Sequence, residues 1–355
     1  MAVIVVLLSS GGSGSSPRAG RAPSLGSVGF ALGHAGTPSG ENFWGQALPS
    51  STPINPNSAT YVNEIDQALA DSSPVSRDCF LSTTGAPPLY VVPGNQPRVQ
   101  VTRQYAYNQH LSDTVLAGGI PIPPSAEQST NTDHTMIIFQ PSTDTLWELW
   151  RVRKDSSGSW QIGWGGKMTD VSQSDGIWPR RAGTSATGVS LIGVVVRIEE
   201  LQDGQIDHPV DLELPRTIVL DRHTLPANTP ATTVPYSWPA DRPPDGVSSN
   251  PHAVPEGLRL RLDPSLDLNS LNLSPVAHTI AVAAQKYGFI VENTGPDCNI
   301  KLGNPQPYLA AGLPNPYQAL FGSDYGPDYS PKVMANFPWS HLQALPFNYG
   351  QPSRP

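Results

Sequence analysis

Glu148 lies between two tryptophans in the segment TLWELWRVRK, which spans residues 145–154. A carboxyl group held against aromatic rings in a partly dry groove has a raised pKa, which suits a general acid. Flat indole rings stack on the apolar faces of sugars and bury much area. The segment therefore predicts a sugar-cleaving site in which Glu148 is the acid or base and Trp147 or Trp150 holds the substrate.

A structural role for Glu148 is the competing interpretation, because a carboxylate at the rim of a sheet pairs with a Lys or Arg on the neighbouring strand. Glycoside hydrolysis requires two carboxyl groups, one on each side of the scissile bond. The sequence favours no single second carboxylate among the candidates, which are Asp133, Asp170, Asp175 and Asp207.

The position of His134 relative to Glu148 depends on the turn of a predicted hairpin. A loop of four residues, Pro141–Asp144, pairs His134 with Arg151, on the face opposite to Glu148. A loop of three residues pairs His134 with Trp150 and brings it onto the Glu148 face, because one residue of register reverses every side chain of a strand. The sequence leaves both alternatives open.

Asp207 and His208 stand side by side at the start of a predicted strand in IDHPVDLELP. An imidazole at such a position suits a general base or a metal ligand. Neighbouring residues on a strand point to opposite faces, so Asp207 is not expected to orient His208 directly. The competing interpretation is a hydrogen-bonded turn that caps the preceding helix, and the pair Asp133–His134 allows the same two interpretations.

Tryptophans are concentrated in one part of the chain, where four lie within the 18 residues from Trp147 to Trp164. Trp164 belongs to the glycine-rich segment GWGG. Together with Trp147, Trp150 and Arg151 it is predicted to line a sugar-binding cleft. The competing interpretation is the core and rim of a β-sandwich, where tryptophan is common.

Neither a metal nor a cofactor is predicted. The histidines show no HxH or HxxxH spacing. The segment DVSQSDG, residues 170–176, resembles a calcium-binding loop only in part, because Arg181 stands at the twelfth position, where an acidic ligand is required.

Proline and glycine determine the expected fold class. The 355 residues include 39 Pro and 32 Gly spread along the chain, which favours short strands joined by turns. Helical patterns occur over residues 58–71, towards the end of GVSLIGVVVRIEELQ, and between Ser274 and Gly288, where Ser274 is a cap and Gly288 a stop. We therefore predict a mostly β domain, a β-sandwich or jelly-roll with two or three peripheral helices.

The first 40 residues are expected to form a signal-like, low-complexity leader. The apolar run Ala2–Leu8 is too short to span a bilayer. It resembles the core of a secretory signal without its positively charged start. A β-rich core domain is predicted over residues 41–303, and a Pro- and Tyr-rich tail packed on that core over residues 304–355. The protein is thus expected to be secreted to the extracellular space, with no membrane span.

Cysteine and charge restrict the partners further. Cys79 and Cys298 are the only cysteines and permit either one disulfide or two buried thiols. The net charge of −8 and pI of 5.4 argue against a nucleic-acid surface. They also argue against a strongly anionic polymer as substrate, unless positive charge is concentrated locally.

Several segments together resemble a family of secreted bacterial proteins. They are WELW, GWGG, GTSATGVSL and IDH, followed by PEGLRLRLDPSLDL and a helix that ends in YG. The resemblance covers roughly residues 41–300. It implies a secreted bacterial protein and assigns no catalytic residue.

These interpretations combine into a secreted enzyme that degrades a neutral or weakly charged polysaccharide, with Glu148, His208, His134 and Asp207 as catalytic candidates. Hydrolysis is favoured slightly over β-elimination, which needs a Tyr or His base and a positive charge to neutralise a uronate. One alternative is a non-catalytic glycan-binding or cell-surface module, which needs the aromatic residues but no paired ionisable groups. Another is a structural envelope protein. The oligomeric state is not predicted.

Overall fold

The computed structural model describes residues 43–72, 78–107, 111–174, 176–178, 182–228, 233–326 and 331–351. The predicted leader and Asp175 lie outside these ranges. Sheets with accompanying helices are present, as expected, but helix and strand occur in nearly equal amounts, 23% and 22%. The structure thus confirms a sheet-rich fold with helices, made of several mixed sheets, whereas a mostly β sandwich or jelly-roll is not shown.

The distribution of proline and glycine explains the higher helix content. The breakers are concentrated in the loops, whereas residues 58–72 contain none and residues 275–286 contain only Pro275, at the first helical position. Proline at that position is compatible with a helix because its missing N–H has no partner there in any case. Long helices therefore form between the proline-rich segments.

The described residues form five α-helices and thirteen strands. The helices are α1 (Ser58–Ser72), α2 (Ile198–Asp203), α3 (Pro275–Lys286), α4 (Gln306–Ala310) and α5 (Tyr317–Phe321). The strands are β1 (Phe80–Ser82), β2 (Leu89–Val91), β3 (Val101–Arg103), β4 (Met136–Gln140), β5 (Thr145–Trp150), β6 (Arg153–Lys154), β7 (Trp160–Ile162), β8 (Trp164–Thr169), β9 (Val210–Pro215), β10 (Arg259–Leu262), β11 (Phe289–Gly295), β12 (Asn299–Lys301) and β13 (Leu342–Ala344).

A six-stranded mixed sheet of order β1-β12-β9-β11-β10-β13 forms the centre of the molecule. One of its faces is apolar and packs against α1 and α3 in the largest hydrophobic cluster. The Cys79–Cys298 disulfide, with Cα atoms 4.6 Å apart, joins the residues that directly precede the parallel strands β1 and β12. Of the two alternatives for the cysteines, the structure thus contains the disulfide.

Helix α3 begins and ends where the sequence predicts. The Ser274 hydroxyl accepts a hydrogen bond from the Ala277 N–H at 3.0 Å, and Pro275 occupies the first turn. Gly288 follows the helix with φ +81°, a left-handed conformation that glycine adopts without steric cost. Helix α2 likewise occupies the end of the segment in which a helix is predicted.

Two smaller sheets lie on the other side of the molecule, one of order β2-β4-β5-β8 and one of order β3-β7-β6. Strand β5 alternates as predicted, but both of its faces are buried. Leu146 packs in one hydrophobic cluster, whereas Trp147 and Leu149 pack in another. The concave surface expected along one face of β5 is therefore filled over most of the strand.

The segment predicted as a tail is part of the central architecture. Strand β13 is an edge strand of the six-stranded sheet and pairs with β10. Tyr317, Phe337 and Trp339 are buried in the same cluster as α1 and α3. This segment therefore completes the core that begins in the predicted β-rich domain.

Candidate functional site

The β4–β5 hairpin has the four-residue loop, so the open question of register is resolved. Gln140 pairs with Thr145 and Met136 with Leu149. His134 lies two residues before β4, is exposed, and its carbonyl oxygen accepts a hydrogen bond from the Val152 N–H at 2.8 Å. This is the register that separates His134 from the face of β5 that carries Glu148.

Glu148 is fully buried and its carboxylate accepts five hydrogen bonds. Oε1 accepts from the Ser190 hydroxyl at 2.8 Å and the Leu191 N–H at 2.9 Å. Oε2 accepts from Trp178 Nε1 at 2.9 Å and from the Thr184 hydroxyl and N–H at 3.1 and 3.3 Å. Burial raises the pKa of Glu148, although these hydrogen bonds oppose the shift. The carboxylate thus attaches Trp178, Thr184, Ser190 and Leu191 to the sheet.

Glycines allow that loop to approach the sheet closely. Gly166 pairs directly with Glu148, and a Cβ atom at Gly166 would lie 2.5 Å from the Gly183 nitrogen and 2.6 Å from the Trp178 ring. Real Cβ atoms do not tolerate such contacts, so a side chain there would displace the loop. The glycines of GWGG and GTSATG thus make room for the Glu148 hydrogen bonds.

His208 is buried against helix α2. Its Nε2 lies 3.1 Å from Glu200 Oε2, and its Nδ1 lies 2.7 Å from the Pro209 carbonyl oxygen. Burial raises the pKa of Glu200, but the attraction of His208 and Arg197 outweighs burial and leaves this pKa lower than usual. His208 therefore joins the start of β9 to the preceding helix through the Glu200 side chain, whereas Gly204 is the residue that ends this helix.

Asp207 is exposed and its side chain has different partners from that of His208. It accepts hydrogen bonds from Gln205 Nε2 at 2.6 Å and from the Tyr287 hydroxyl at 3.3 Å. Asp207 and His208 precede β9 of the central sheet, whereas Glu148 lies in the β2-β4-β5-β8 sheet. No hydrogen bond or ion pair among the described residues joins the catalytic candidates to one another.

Four partly or largely exposed aromatic rings lie together with Arg151 at one surface. We call Tyr105, Tyr107, Trp150 and Trp164 the aromatic platform. The rings of Tyr105 and Tyr107 stack with centroids 5.5 Å apart and 13° between their planes, and Tyr107 is 79% exposed. Trp150 and Trp164 are directly opposed neighbours on β5 and β8.

Arg151 joins the two halves of the platform. Its guanidinium carbon lies 4.4 Å from the centre of the Trp150 ring, and its Nη1 donates a hydrogen bond to the Tyr105 hydroxyl at 2.7 Å. Its carbonyl oxygen accepts a hydrogen bond from the Gln104 side chain. On the other side, Asp133 Oδ1 accepts from Trp150 Nε1 at 2.9 Å. Three of the four predicted substrate-binding residues, Trp150, Arg151 and Trp164, thus lie at one surface.

Trp147 lies elsewhere, and the two tyrosines of the platform were not anticipated. Trp147 is fully buried on the opposite face of β5, between Arg98 and Lys167, whose charged groups lie 5.3 and 5.7 Å from its ring centre. The tyrosines belong to RQYAY, in which Tyr105 and Tyr107 alternate at the end of a strand-like run. Residues two apart in an extended chain share a face, so this spacing is a signal for an aromatic pair.

A second group of polar residues is buried on the central sheet and was missed entirely. We call Asp211, Glu213, Glu292 and Lys301 the charged layer. The Lys301 ammonium lies 2.9 Å from Glu292, 3.3 Å from Glu213 and 3.9 Å from Asp211. Burial lowers the pKa of Lys301, but the three carboxylates outweigh burial and raise it well above its usual range. The spacing VDLEL in an apolar strand is a signal for two carboxylates on one sheet face.

Glu256 extends the charged layer with a fully buried carboxyl group. Neither of its oxygens accepts a hydrogen bond from a donor among the described residues. Burial raises its pKa well above the usual range, and the negative charges of Asp245 and Glu292 raise it further. Burial and the neighbouring carboxylates thus both disfavour the charged form of Glu256.

The raised pKa of Glu256 predicts a loss of stability as the pH rises. A group whose pKa is higher in the folded than in the unfolded state makes its full contribution to stability at pH values below the unfolded pKa. This contribution is lost as the pH rises through the folded pKa. Each pH unit above about 4.5 within that window should cost up to about 1.4 kcal/mol. The free energy of unfolding should therefore fall less steeply with pH in Glu256→Gln than in the wild type, as measured by urea unfolding between pH 4.5 and 8.

The matched control for this prediction is Glu127→Gln, because Glu127 is exposed. The control should decline with pH as the wild type does. A Glu256→Gln curve parallel to the wild type would show that Glu256 does not titrate in the native state above its usual pKa.

Among the described residues, no helix has both the length and the apolar character needed to cross a bilayer. The described part of the chain also contains no group of three or more His, Cys, Asp or Glu side chains arranged to hold a metal ion. No protein-family model, curated protein or solved structure matches the chain.

Proposed function

We propose that the chain is an extracellular protein that binds a polysaccharide on the aromatic platform. The observation that carries this proposal is the continuity of the surface, in which Tyr107, Tyr105, Arg151 and Trp150 contact one another in that order. Trp164 extends the row at its far end. Exposed aromatic rings in a row fit successive sugar rings, whose apolar faces stack on them.

Polar groups beside the rings fit the hydroxyls of a sugar. The Tyr105 hydroxyl, the Asp133 carboxylate and the Gln104 amide lie at the edges of the platform and are each held by a hydrogen bond. Such groups fix the orientation of a ligand that stacking alone leaves free to slide. The Cys79–Cys298 disulfide supports an extracellular location, because disulfides persist in oxidising compartments.

Polysaccharide cleavage by Glu148 is not part of this proposal. A carboxylate with 0% exposure and five hydrogen bonds has no open side for a glycosidic oxygen. Cleavage therefore stays a separate prediction, tested by release of reducing sugar and of ultraviolet-absorbing ends from a polysaccharide panel. Cleavage by the wild type that is lost in a folded Glu148→Gln variant would assign Glu148 to a mechanism.

Removal of a platform ring should weaken polysaccharide binding. Trp150→Ala and Tyr107→Ala each remove a stacking surface worth about 1–1.5 kcal/mol, so we expect the dissociation constant to rise roughly tenfold. Affinity gel electrophoresis against a panel of neutral and acidic polysaccharides measures the change. Tyr107→Ala is the cleaner variant, because Tyr107 is the most exposed ring and its loss should leave the core intact.

The matched control removes an exposed apolar side chain outside the platform. Leu225→Ala is suitable because Leu225 is 48% exposed and lies in the loop between β9 and β10. It should bind like the wild type. Binding that survives both platform substitutions, or a wild type that binds no polysaccharide of the panel, would refute the proposal.

A further inference from the structure

We propose that the polysaccharide bound by the platform is acidic and that its uronate carboxylates bind Arg151, Arg153 and Lys154. This inference rests on the proposed function and names its ligand class. We call these three residues the cationic strip. They lie within four consecutive positions and are all exposed, whereas Val152 between them is fully buried. The burial of Val152 fixes the two neighbouring arginines at the surface.

Arg151 is preorganised to bind a carboxylate. Its planar guanidinium is supported by the Trp150 ring at 4.4 Å and by one hydrogen bond to the Tyr105 hydroxyl at 2.7 Å. A guanidinium carries five N–H donors, so most of them stay available for a ligand. Guanidinium groups bind carboxylates through two parallel hydrogen bonds, and a fixed side chain loses less entropy when it does so.

The other two cations of the strip also rest on neutral partners. Arg153 Nε donates to the Gln161 side chain at 3.1 Å, and the Lys154 ammonium lies 4.5 Å from the centre of the Trp160 ring. The ion pairs found among the described residues involve other cations, namely Arg197, His208, Arg242 and Lys301. The strip therefore presents positive charge that no carboxylate of the described chain neutralises by direct contact.

The two acidic side chains that border the strip are already hydrogen-bonded. Asp133 accepts from Trp150 Nε1 at 2.9 Å. Asp155 accepts from the Ser157 hydroxyl at 2.6 Å and from the Ser159 N–H at 3.0 Å. Neither of them forms an ion pair with a cation of the strip. Positive charge is thus concentrated locally in a chain whose net charge is −8.

Stacking rings beside arginines also suit single-stranded nucleic acid. The observations favour an acidic glycan, because the chain as a whole is acidic and would repel a long polyanion that extends beyond the platform. The disulfide points to the same choice, since it belongs to compartments outside the reducing interior of the cell. Nucleic acid is therefore an outcome of the test and not the proposal.

The experiment measures binding of the full-length chain to polygalacturonate and to its methyl ester, which has the same sugar backbone but neutral ester groups in place of carboxylates. We expect the wild type to bind polygalacturonate at least about tenfold more tightly, with a preference that shrinks as salt is raised. Arg151→Gln should lower the ratio of the two affinities about tenfold. The double variant Arg153→Gln/Lys154→Gln should lower it less, because these cations lie farther from the rings. Dextran sulfate, dextran and a single-stranded RNA complete the panel.

The matched control is Arg222→Gln, which removes an exposed cation that lies outside the strip. This variant should keep the wild-type ratio of the affinities for polygalacturonate and its methyl ester. Equal affinity for the two forms of polygalacturonate would overturn this inference and leave the proposed function intact, whereas absence of binding to every glycan would refute both. Tighter binding of dextran sulfate than of polygalacturonate would show that the strip prefers sulfate groups to uronate carboxylates and would overturn the inference. Tighter binding of RNA than of any glycan would overturn it in favour of nucleic acid.

Discussion

Replacement of Lys301 by methionine should remove about 3–5 kcal/mol from the free energy of unfolding. Methionine has a similar length but no charge, so the variant leaves Asp211, Glu213 and Glu292 without their shared cation. Asp211 and Glu292 are fully buried. Removing one partner of a buried ion pair destabilises the folded protein much more than replacing the whole pair by apolar residues, because the remaining charges are neither solvated nor paired. Domains of this kind have about 5–15 kcal/mol of stability in total, so the variant should be barely folded.

Urea unfolding followed by tryptophan fluorescence measures this effect. The control is Lys286→Met, because Lys286 is exposed at the end of α3 and should cost less than about 1 kcal/mol. The defect of Lys301→Met should be smaller at pH 4 than at pH 7, because protonation removes the repulsion among the carboxylates. A loss equal to that of the control, or one that does not change with pH, would contradict the description of the charged layer.

Replacement of Glu148 by alanine should cost about as much, roughly 3–5 kcal/mol, because five donors lose their acceptor at once. Three of the donors are side-chain groups, from Trp178, Thr184 and Ser190, and two are backbone N–H groups. Water can satisfy them only if the loop leaves the sheet. Glu148→Gln should cost less, about 2–3 kcal/mol, because one acceptor oxygen remains. The rest of the cost arises because the new amide NH2 group, itself a donor, faces the donors that the second oxygen had accepted from.

The fluorescence of Trp178 and the free energy of unfolding report this change, with Glu127→Ala as an exposed control. We expect Glu148→Gln to keep its affinity for polysaccharide, because the hydrogen bonds of the Glu148 carboxylate go to Trp178, Thr184, Ser190 and Leu191 and to no residue of the platform. A variant with wild-type stability would show that Glu148 is not the structural acceptor described here. A stable variant that had also lost the cleavage of a polysaccharide would return Glu148 to the role of acid or base.

Glu148 was a candidate site residue from the sequence alone, whereas the sequence predicted no role for Lys301. The alternation of TLWELW identified β5 and the faces of Glu148 and Trp147 correctly, because side-chain direction in a strand follows from position alone. The alternation did not predict which other segments of the chain pack against each face of β5. The donors that surround Glu148 come from residues 178–191, a separate segment whose approach depends on Gly166 and Gly183.

By itself the sequence determined the local features. The caps of α3, the alternation of β5, and the helix over residues 58–72 follow from spacing, capping and the absence of breakers. These depend on neighbours within a few positions, which the sequence displays directly. The presence of sheets with peripheral helices followed in the same way.

Tertiary structure decided which of these residues meet. Tyr105 reaches Arg151 across 46 positions, and Lys301 meets Asp211 across 90. The mixed order of the central sheet places β9 between β11 and β12, although β9 ends at Pro215 and β11 begins at Phe289. Contacts of this kind depend on strand order and loop paths, which spacing does not encode. For that reason the sequence named Trp150, Arg151 and Trp164 as binding residues, but only the folded chain joins them to the tyrosines in one surface.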